Sequence, residues 1–200
     1  SVAGNEYNYF YAYSYTNENG TQLNYTNASK AFVTLQPLEA KGKINPDTGN
    51  IDWEINYNFN EQPLTTSSQL LANLKDQGVE LIDGSISIEK VKFNYTSENN
   101  YEVVSEGEGT SDFTITPDGK DSLSFTPKSA TTQAYIVRYS TKITDPTERV
   151  IKNKVTNGTV TKEAQVSLIP NLLSKEAGTI DIFNRTMEWK ITVLSLIHIS

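Results

Sequence analysis

The chain has 200 residues, a formal net charge of −7 and no cysteine. This length suits one ordinary domain with parts of others. The absence of cysteine excludes disulfide-stapled folds, thiolate metal sites and cysteine nucleophiles, and an acidic chain without a basic stripe is a poor partner for nucleic acid or an anionic membrane surface. No apolar run is long enough for membrane insertion.

The beginning of the chain repeats a later segment. The stretch YFYAYSYTNENGTQLNYTNAS (9–29) aligns without gaps on YIVRYSTKITDPTERVIKNKV (135–155), so that Tyr9 matches Tyr135 and Tyr13 matches Tyr139. Repetition at a fixed offset is typical of tandem arrays. We therefore predict that residues 1–38 are the C-terminal part of a preceding repeat.

A second repetition involves the two tryptophans of the chain. The segment KGKINPDTGNIDWEINYN, which contains Trp53, returns as KEAGTIDIFNRTMEWKITV, which contains Trp189. We predict that 39–170 is a complete repeat and that 171–193 is the first strand region of a following one. The final SLIHIS does not continue the pattern, and 194–200 is interpreted as an artefactual tail. Because partial units cannot close their own sandwiches, 1–38 and 171–200 are expected to pack poorly or to pair with each other.

Alternation of apolar and polar residues is the main structural signal. In IDWEINYNF (51–59) the odd-numbered residues are all apolar and the even-numbered ones are polar, which is the pattern of a half-buried strand. Turn sequences such as TPDGKD separate the candidate strands. Further strands are predicted at 85–93, 101–104, 112–116, 122–126, 134–143, 150–156 and 163–169. One exception, SSQLLANLKDQG (67–78), is predicted to form a helical turn or two with Leu70, Leu71 and Leu74 facing inward.

Many short strands separated by turns predict an all-β fold, an immunoglobulin-like antiparallel β-sandwich. An indole can serve as a carbohydrate platform, but both tryptophans fall on the apolar face of a repeated strand, which favours core packing. The predicted structural core residues are Trp53, Trp189, Tyr135 and Tyr139.

Few side chains of the chain could serve as catalytic groups or metal ligands. The acidic turns that contain Asp47, Asp52, Asp118 and Asp121 lack the ligand spacing of a calcium loop. The single histidine, His198, lies in the final tail. We therefore predict no catalytic residues, no metal site and no cofactor.

The order of several motifs resembles a known family. KGKINPDTGNIDWEINYNFNEQPL is followed by ELIDGSISI, YIVRYSTKITD and VIKNKVTNGTV. This order is similar to the collagen-binding-type (Cna-like) repeat of Gram-positive cell-wall-anchored adhesins and covers 39–170. The resemblance implies an immunoglobulin-like fold, a tandem arrangement, an extracellular position on the bacterial cell wall, and a host extracellular matrix protein such as collagen as the partner.

The resemblance also implies an intramolecular isopeptide bond between a buried lysine and an asparagine, assisted by a carboxylic acid. The lysine falls on Lys41 and the asparagine on Asn153, while the acid position falls on Asn73 or Ala72, which cannot carry a proton as a carboxylate does. Asp76 is close in sequence but is expected to point to solvent. We therefore expect Lys41 and Asn153 to face each other in the core without a complete bond.

Two functional hypotheses follow. The first is a non-enzymatic module of a surface adhesin, which binds a collagen-type ligand or acts as a stalk spacer between neighbouring repeats. The second is a carbohydrate-binding accessory module of a secreted glycan-active protein. The sequence that flanks this segment would discriminate between them.

Overall fold

The computed structural model describes residues 5–16, 18–20, 22–33, 35–97, 100–169, 173–181 and 186–193. Side chains are described at 16, 18–20, 35–94 and 101–169. The strands are β1 Asn5–Thr16, β2 Gln22–Val33, β3 Leu38–Ile44, β4 Ile51–Tyr57, β5 Leu70–Asn73, β6 Val79–Leu81, β7 Ser87–Ser97, β8 Asn100–Glu108, β9 Phe113–Asp118, β10 Ser122–Pro127, β11 Ala134–Ile143, β12 Arg149–Asn157, β13 Val160–Leu168, β14 Leu173–Asp181 and β15 Thr186–Val193.

Strands β3 to β13 form two antiparallel sheets. Sheet I has the order β13-β12-β5-β10-β9, and sheet II has the order β3-β4-β11-β7-β8. The short strand β6 pairs with the end of β11, beside the stretch that pairs with β7. At one edge, β3 of sheet II lies against β13 of sheet I. The prediction of an all-β, immunoglobulin-like sandwich is confirmed.

The core between the sheets is built by strict alternation. In β4 the residues Ile51, Trp53, Ile55 and Tyr57 are all buried, and the residues between them are half-buried. Burial of large apolar side chains is the main favourable term in folding, roughly 1.5–3 kcal/mol for each fully buried one. Because successive side chains point to opposite faces, the same strand presents its polar residues on the outer face of sheet II.

The predicted helical segment at 67–78 is wrong. Leu70–Asn73 forms β5, in the middle of sheet I between β12 and β10. Leu70, Ala72 and Leu74 are buried, whereas Leu71 is 41% exposed, which is a period of two instead of a helical period. The backbone pairing that β10 and β12 offer overrides the helix propensity of this leucine-rich stretch.

Two hairpins flank the sandwich. β1 pairs with β2, and β14 pairs with β15. No strand pairing joins these two hairpins among the described residues, so the expected pairing of the end segments with each other is not observed. β1 and β2 also pair directly, whereas their counterparts in the sequence alignment, β11 and β12, lie in different sheets. The segment 194–200, interpreted above as an artefactual tail, lies outside the described residues.

The described part of the chain contains one short helical element, a 3₁₀ turn at Thr110–Asp112. No helix there has the length and apolar character needed to cross a membrane.

Candidate ligand-binding groove

A groove with a volume of about 540 Å³ lies on the outer face of sheet II. Its walls come from β3, β4 and β11, with one contribution from the turn before β7. Cavities of this size are typical of ligand sites. The charged side chains that line it are Lys41, Lys43, Asp52, Glu54 and Arg138.

The groove follows from alternation in three neighbouring strands. In β3 the buried or half-buried Leu38, Ala40 and Gly42 face the core, so Lys41 and Lys43 face outward. The same alternation turns the polar residues of β4 and Arg138 of β11 to that face. Because β4 lies between β3 and β11, side chains from all three strands meet in one row.

Glu54 is the centre of an ion-pair chain across sheet II. Its Oε1 lies 2.9 Å from Lys41 Nζ, and its Oε2 accepts a 2.9 Å hydrogen bond from Arg138 Nε. Arg138 donates a second hydrogen bond of 3.1 Å from Nη1 to Glu89 Oε2 in β7. The strand register accounts for these contacts, since Glu54 is the direct cross-strand neighbour of both Lys41 and Arg138.

These contacts set the ionisation of the groove. Partial burial by itself raises the pKa of Glu54, but hydrogen bonds and charges from Lys41 and Arg138 outweigh burial and hold this pKa below its usual value of 4.5. Burial lowers the pKa of Arg138, yet the bonds to Glu54 and Glu89 raise it overall. Glu54 and Arg138 are therefore both charged at neutral pH.

A second, hydrogen-bonded group lies beside the ion pairs. Asp52 Oδ1 accepts a 2.7 Å bond from Ser140 Oγ, and its Oδ2 accepts a 3.1 Å bond from Asn45 Nδ2. The backbone N–H of Ser140 donates to Ser85 Oγ at 3.0 Å, which ties the turn before β7 to the groove. Both oxygens of Asp52 are thus engaged within the protein.

A smaller cavity of about 310 Å³ adjoins the groove and shares Lys41 and Glu54 with it. It extends over the edge of sheet II to Lys162 and Glu163 of β13 in sheet I. The Lys41–Glu54 ion pair therefore forms the ridge between the two depressions.

The structure does not bring Lys41 and Asn153 together. The side chain of Lys41 is 75% exposed and forms its ion pair on the outer face, while Asn153 is completely buried in β12. The inward position next to Lys41 is Gly42, and the space above it is filled by the ring of Trp53. The expectation that both side chains face the core is therefore wrong for Lys41, because the alternation along β3 places its side chain on the outer face.

Asn153 has a different partner. Its Nδ2 donates a 2.5 Å hydrogen bond to the hydroxyl of Tyr139, which is equally buried. Its Oδ1 has no hydrogen-bond partner in the described structure. Burial raises the pKa of Tyr139, so the phenol is protonated, and the bond to Asn153 offsets this only in part.

No acid lies at the position that the resemblance assigns to it. Ala72 is buried in β5, and Asn73 is exposed, with its Oδ1 accepting a 2.9 Å bond from the backbone N–H of Lys75. Asp76 is exposed in the turn that follows and has a φ of 60°. A lysine, an asparagine and an acid are therefore not assembled around Asn153.

Three of the four predicted core residues are buried. Trp53, Tyr135 and Tyr139 are each 1% exposed. Trp53 Nε1 donates a 2.9 Å hydrogen bond to the buried Thr141 Oγ1, so its polar group is satisfied. Trp189 lies in β15, and its side chain is outside the described residues.

Among the described residues, no three or more His, Cys, Asp or Glu side chains gather as a metal site would require.

Sequence reasoning missed the groove and Arg138. The available signal was the set of outward positions in the two predicted strands at 51–59 and 134–143, whose charges have opposite signs.

Comparison with known proteins identifies the family of this chain. A family profile described as collagen binding domain matches residues 36–167. No match to a curated protein was found. Among solved structures, the chain is similar to the Enterococcus faecalis ACE protein described as binding its ligands by the collagen Hug model, at a TM-score of 0.50 and 14% identity, covering 82% of this chain and 60% of that one.

Two single-domain structures are also similar. The ACE19 collagen-binding subdomain of E. faecalis gives a TM-score of 0.49 at 15% identity, covering 68% of this chain and 99% of that one. The collagen-binding domain of a Staphylococcus aureus adhesin gives 0.45 at 16% identity, covering 68% and 98%. The profile match covers more than half of the sequence and coincides with β3 to β13. The chain therefore belongs to the collagen-binding domain family.

Proposed function

We propose that this chain is a collagen-binding module of a bacterial surface adhesin and that its ligand lies in the groove on sheet II. The observation that carries the proposal is the family match. Its residues 36–167 coincide with the strands that build both the sandwich and the groove.

The chemistry of the groove suits a collagen triple helix. Collagen winds three polyproline-II chains into a straight rod with glycine at every third residue. Its proline-rich chains have few free N–H groups, so the rod presents mainly acceptors to its surroundings. The groove is lined by lysine donors from β3 and an arginine donor from β11. Donors on one partner and acceptors on the other support this pairing.

We propose binding without catalysis. A general acid needs a pKa near the working pH, which burial usually provides by raising it. In the groove, the pKa of Glu54 is lowered instead, and both of its oxygens are occupied by Lys41 and Arg138. Detectable turnover of a peptide or glycan that is lost in a carboxylate variant would contradict this part of the proposal.

We further propose that the unit at 39–170 belongs to a tandem array on the outside of the cell wall, in which units without ligand act as spacers. The support is the hairpin β14–β15, where Trp189 on the second strand faces Ala177 on the first. β3–β4 has the same layout, with Trp53 opposite Gly42. An extracellular position also follows from a matrix ligand.

The carbohydrate-binding alternative is not favoured by the family match. A sugar platform needs an exposed aromatic face, and Trp53 is 1% exposed with its N–H bonded to Thr141. We therefore infer that a tryptophan recurs at this strand position because it packs in the core.

The test is a binding screen of the full chain against native collagens, heat-denatured collagen, fibrinogen and glycans. We expect saturable binding to native collagen and a roughly tenfold loss in Arg138→Gln, equivalent to about 1.4 kcal/mol. The matched control is Lys154→Gln, which removes the same charge from the exposed face of sheet I. Absence of binding to every collagen by the folded chain would contradict the proposal.

A further inference from the structure

One cation of the groove differs from the other charged groups there. Lys41 and Arg138 are both paired with carboxylates, those of Glu54 and Glu89, and Asp52 is held by Ser140 and Asn45. Lys43 is exposed, and no carboxylate of the described residues lies within ion-pair distance of it. Among the described residues, it is the groove cation whose charge is not paired with a carboxylate.

The geometry explains why Lys43 has no ion-pair partner among the described residues. Its direct cross-strand neighbour is Asp52, the residue that would be expected to pair with it. The Asp52 carboxylate instead accepts from Ser140 at 2.7 Å and from Asn45 at 3.1 Å. Those two bonds occupy one lone pair on each oxygen and hold the carboxylate in place.

The pairing of the charges supports an anionic ligand group. The groove is lined by three cationic and two anionic side chains, and Glu89 beside them is already paired with Arg138, so Lys43 is the cation without a paired carboxylate among the described residues. A ligand cation would find both groove carboxylates already bonded. A ligand carboxylate would find an ammonium group with three N–H donors and no ion-pair partner among the described residues.

We propose that Lys43 is a specificity-determining residue of the groove and that it binds a carboxylate of the ligand, the side chain of Asp or Glu at an X or Y position of a Gly-X-Y triple helix. This assignment rests on the proposed collagen-binding function. Because an ammonium group is a point charge without fixed fork geometry, it selects the charge and tolerates either acid. The order of preference among guest residues at one position is then Glu, Gln and Lys.

The experiment uses the full chain and immobilised triple-helical peptides. The host is a series of Gly-Pro-Hyp triplets, and one central triplet carries Glu, Gln or Lys at the X position. Wild type should bind the Glu peptide roughly three- to fivefold more tightly than the Gln peptide at low salt, and the difference should shrink as salt screens the pair. Lys43→Gln should abolish the preference, and Lys43→Glu should reverse it toward the Lys peptide.

Lys154→Gln is the charge-matched control and should keep the wild-type preference, since it lies on the other sheet. Equal binding of the Glu and Gln peptides by wild type, or an unchanged preference in Lys43→Gln, would overturn the role of Lys43 and leave collagen binding in place. Failure of the folded chain to bind any triple helix would overturn both. Circular dichroism on each variant establishes that it is folded, which the exposed position of Lys43 favours.

Discussion

The ring of Trp53 packs directly onto the backbone of Gly42, its cross-strand neighbour in β3. A Cβ atom on Gly42 would lie 2.4 Å from Cε3 and Cζ3 of that ring and 2.9 Å from Cγ2 of Val166 in β13. The two sheets therefore meet at a position that has room for glycine alone. The same contact occupies the inward space beside Lys41.

Substitution of this glycine tests the contact. Gly42→Ala should lower the free energy of unfolding by about 1–3 kcal/mol, because the indole or the backbone of β3 must move to admit the methyl group. Urea denaturation followed by tryptophan fluorescence measures the change. Lys41→Ala, one residue away on the outer face, should cost less than about 1 kcal/mol, since it removes only an exposed ion pair. Equal stability of Gly42→Ala and wild type would contradict the packing.

The chain should contain no isopeptide bond between Lys41 and Asn153. Formation of that bond releases one ammonia, so the intact mass should equal the mass calculated from the sequence. The reason is geometric: the lysine amine is 75% exposed beside Glu54, and the asparagine amide is buried beside Tyr139. A mass lower by one ammonia that returns to the calculated value in Lys41→Ala would contradict this placement.

The pair Lys41 and Asn153 also shows how much of the site could be predicted from the sequence. The resemblance assigned the lysine to the first strand of the unit and the asparagine to the last. Lys41 does lie in the first strand, β3, whereas Asn153 lies in β12, the strand before the last. The resemblance could not show which side chains of β3 point to the core and which point outward. A shift of one residue exchanges the inner and outer faces of a strand, and the deciding contact, Trp53 on Gly42, depends on packing across the sheets.

The buried pair Tyr139 and Asn153 should show strong thermodynamic coupling. Tyr139→Phe leaves the Asn153 amide group buried without an acceptor and should cost about 1–3 kcal/mol. The double variant Tyr139→Phe/Asn153→Leu removes both polar groups and should recover much of that loss. A double-mutant cycle by urea denaturation measures the coupling, and strictly additive effects would contradict the hydrogen bond.

Glu54 should make stability depend on pH in the acid range. Its pKa in the folded state lies below 4.5, so its ion pairs stabilise the fold above about pH 4.5, and this contribution is lost as pH falls through the lower folded-state value. Glu54→Gln should therefore be less stable than wild type at neutral pH by up to about 1 kcal/mol, with the difference vanishing in strong acid. Unfolding curves across this range measure it, with Glu102→Gln in the exposed edge strand β8 as the control. A difference that grows toward acid pH would contradict the assignment.

The groove itself was only partly visible in the sequence. Alternation in 51–59 predicted that Asp52 and Glu54 share one face of a strand, and the structure agrees. Their partner Arg138 is far away in the chain and meets Glu54 only because β11 pairs with β4. Strand order and register, which a single sequence does not specify, therefore determine which charges form the site.

The exposure of Leu70 and Leu71 in β5 distinguishes a strand from the helical turns that the sequence predicted for this segment. On a helix, Leu70 and Leu71 would both face inward, and truncation of either would leave a cavity. In the strand, Leu70 is completely buried and Leu71 is 41% exposed. Leu70→Ala should therefore cost about 2–5 kcal/mol, whereas Leu71→Ala should change the free energy of unfolding by less than about 0.5 kcal/mol. Urea denaturation of both variants measures the contrast. Similar losses in the two variants would contradict the alternation of β5 and restore the helical interpretation of this segment.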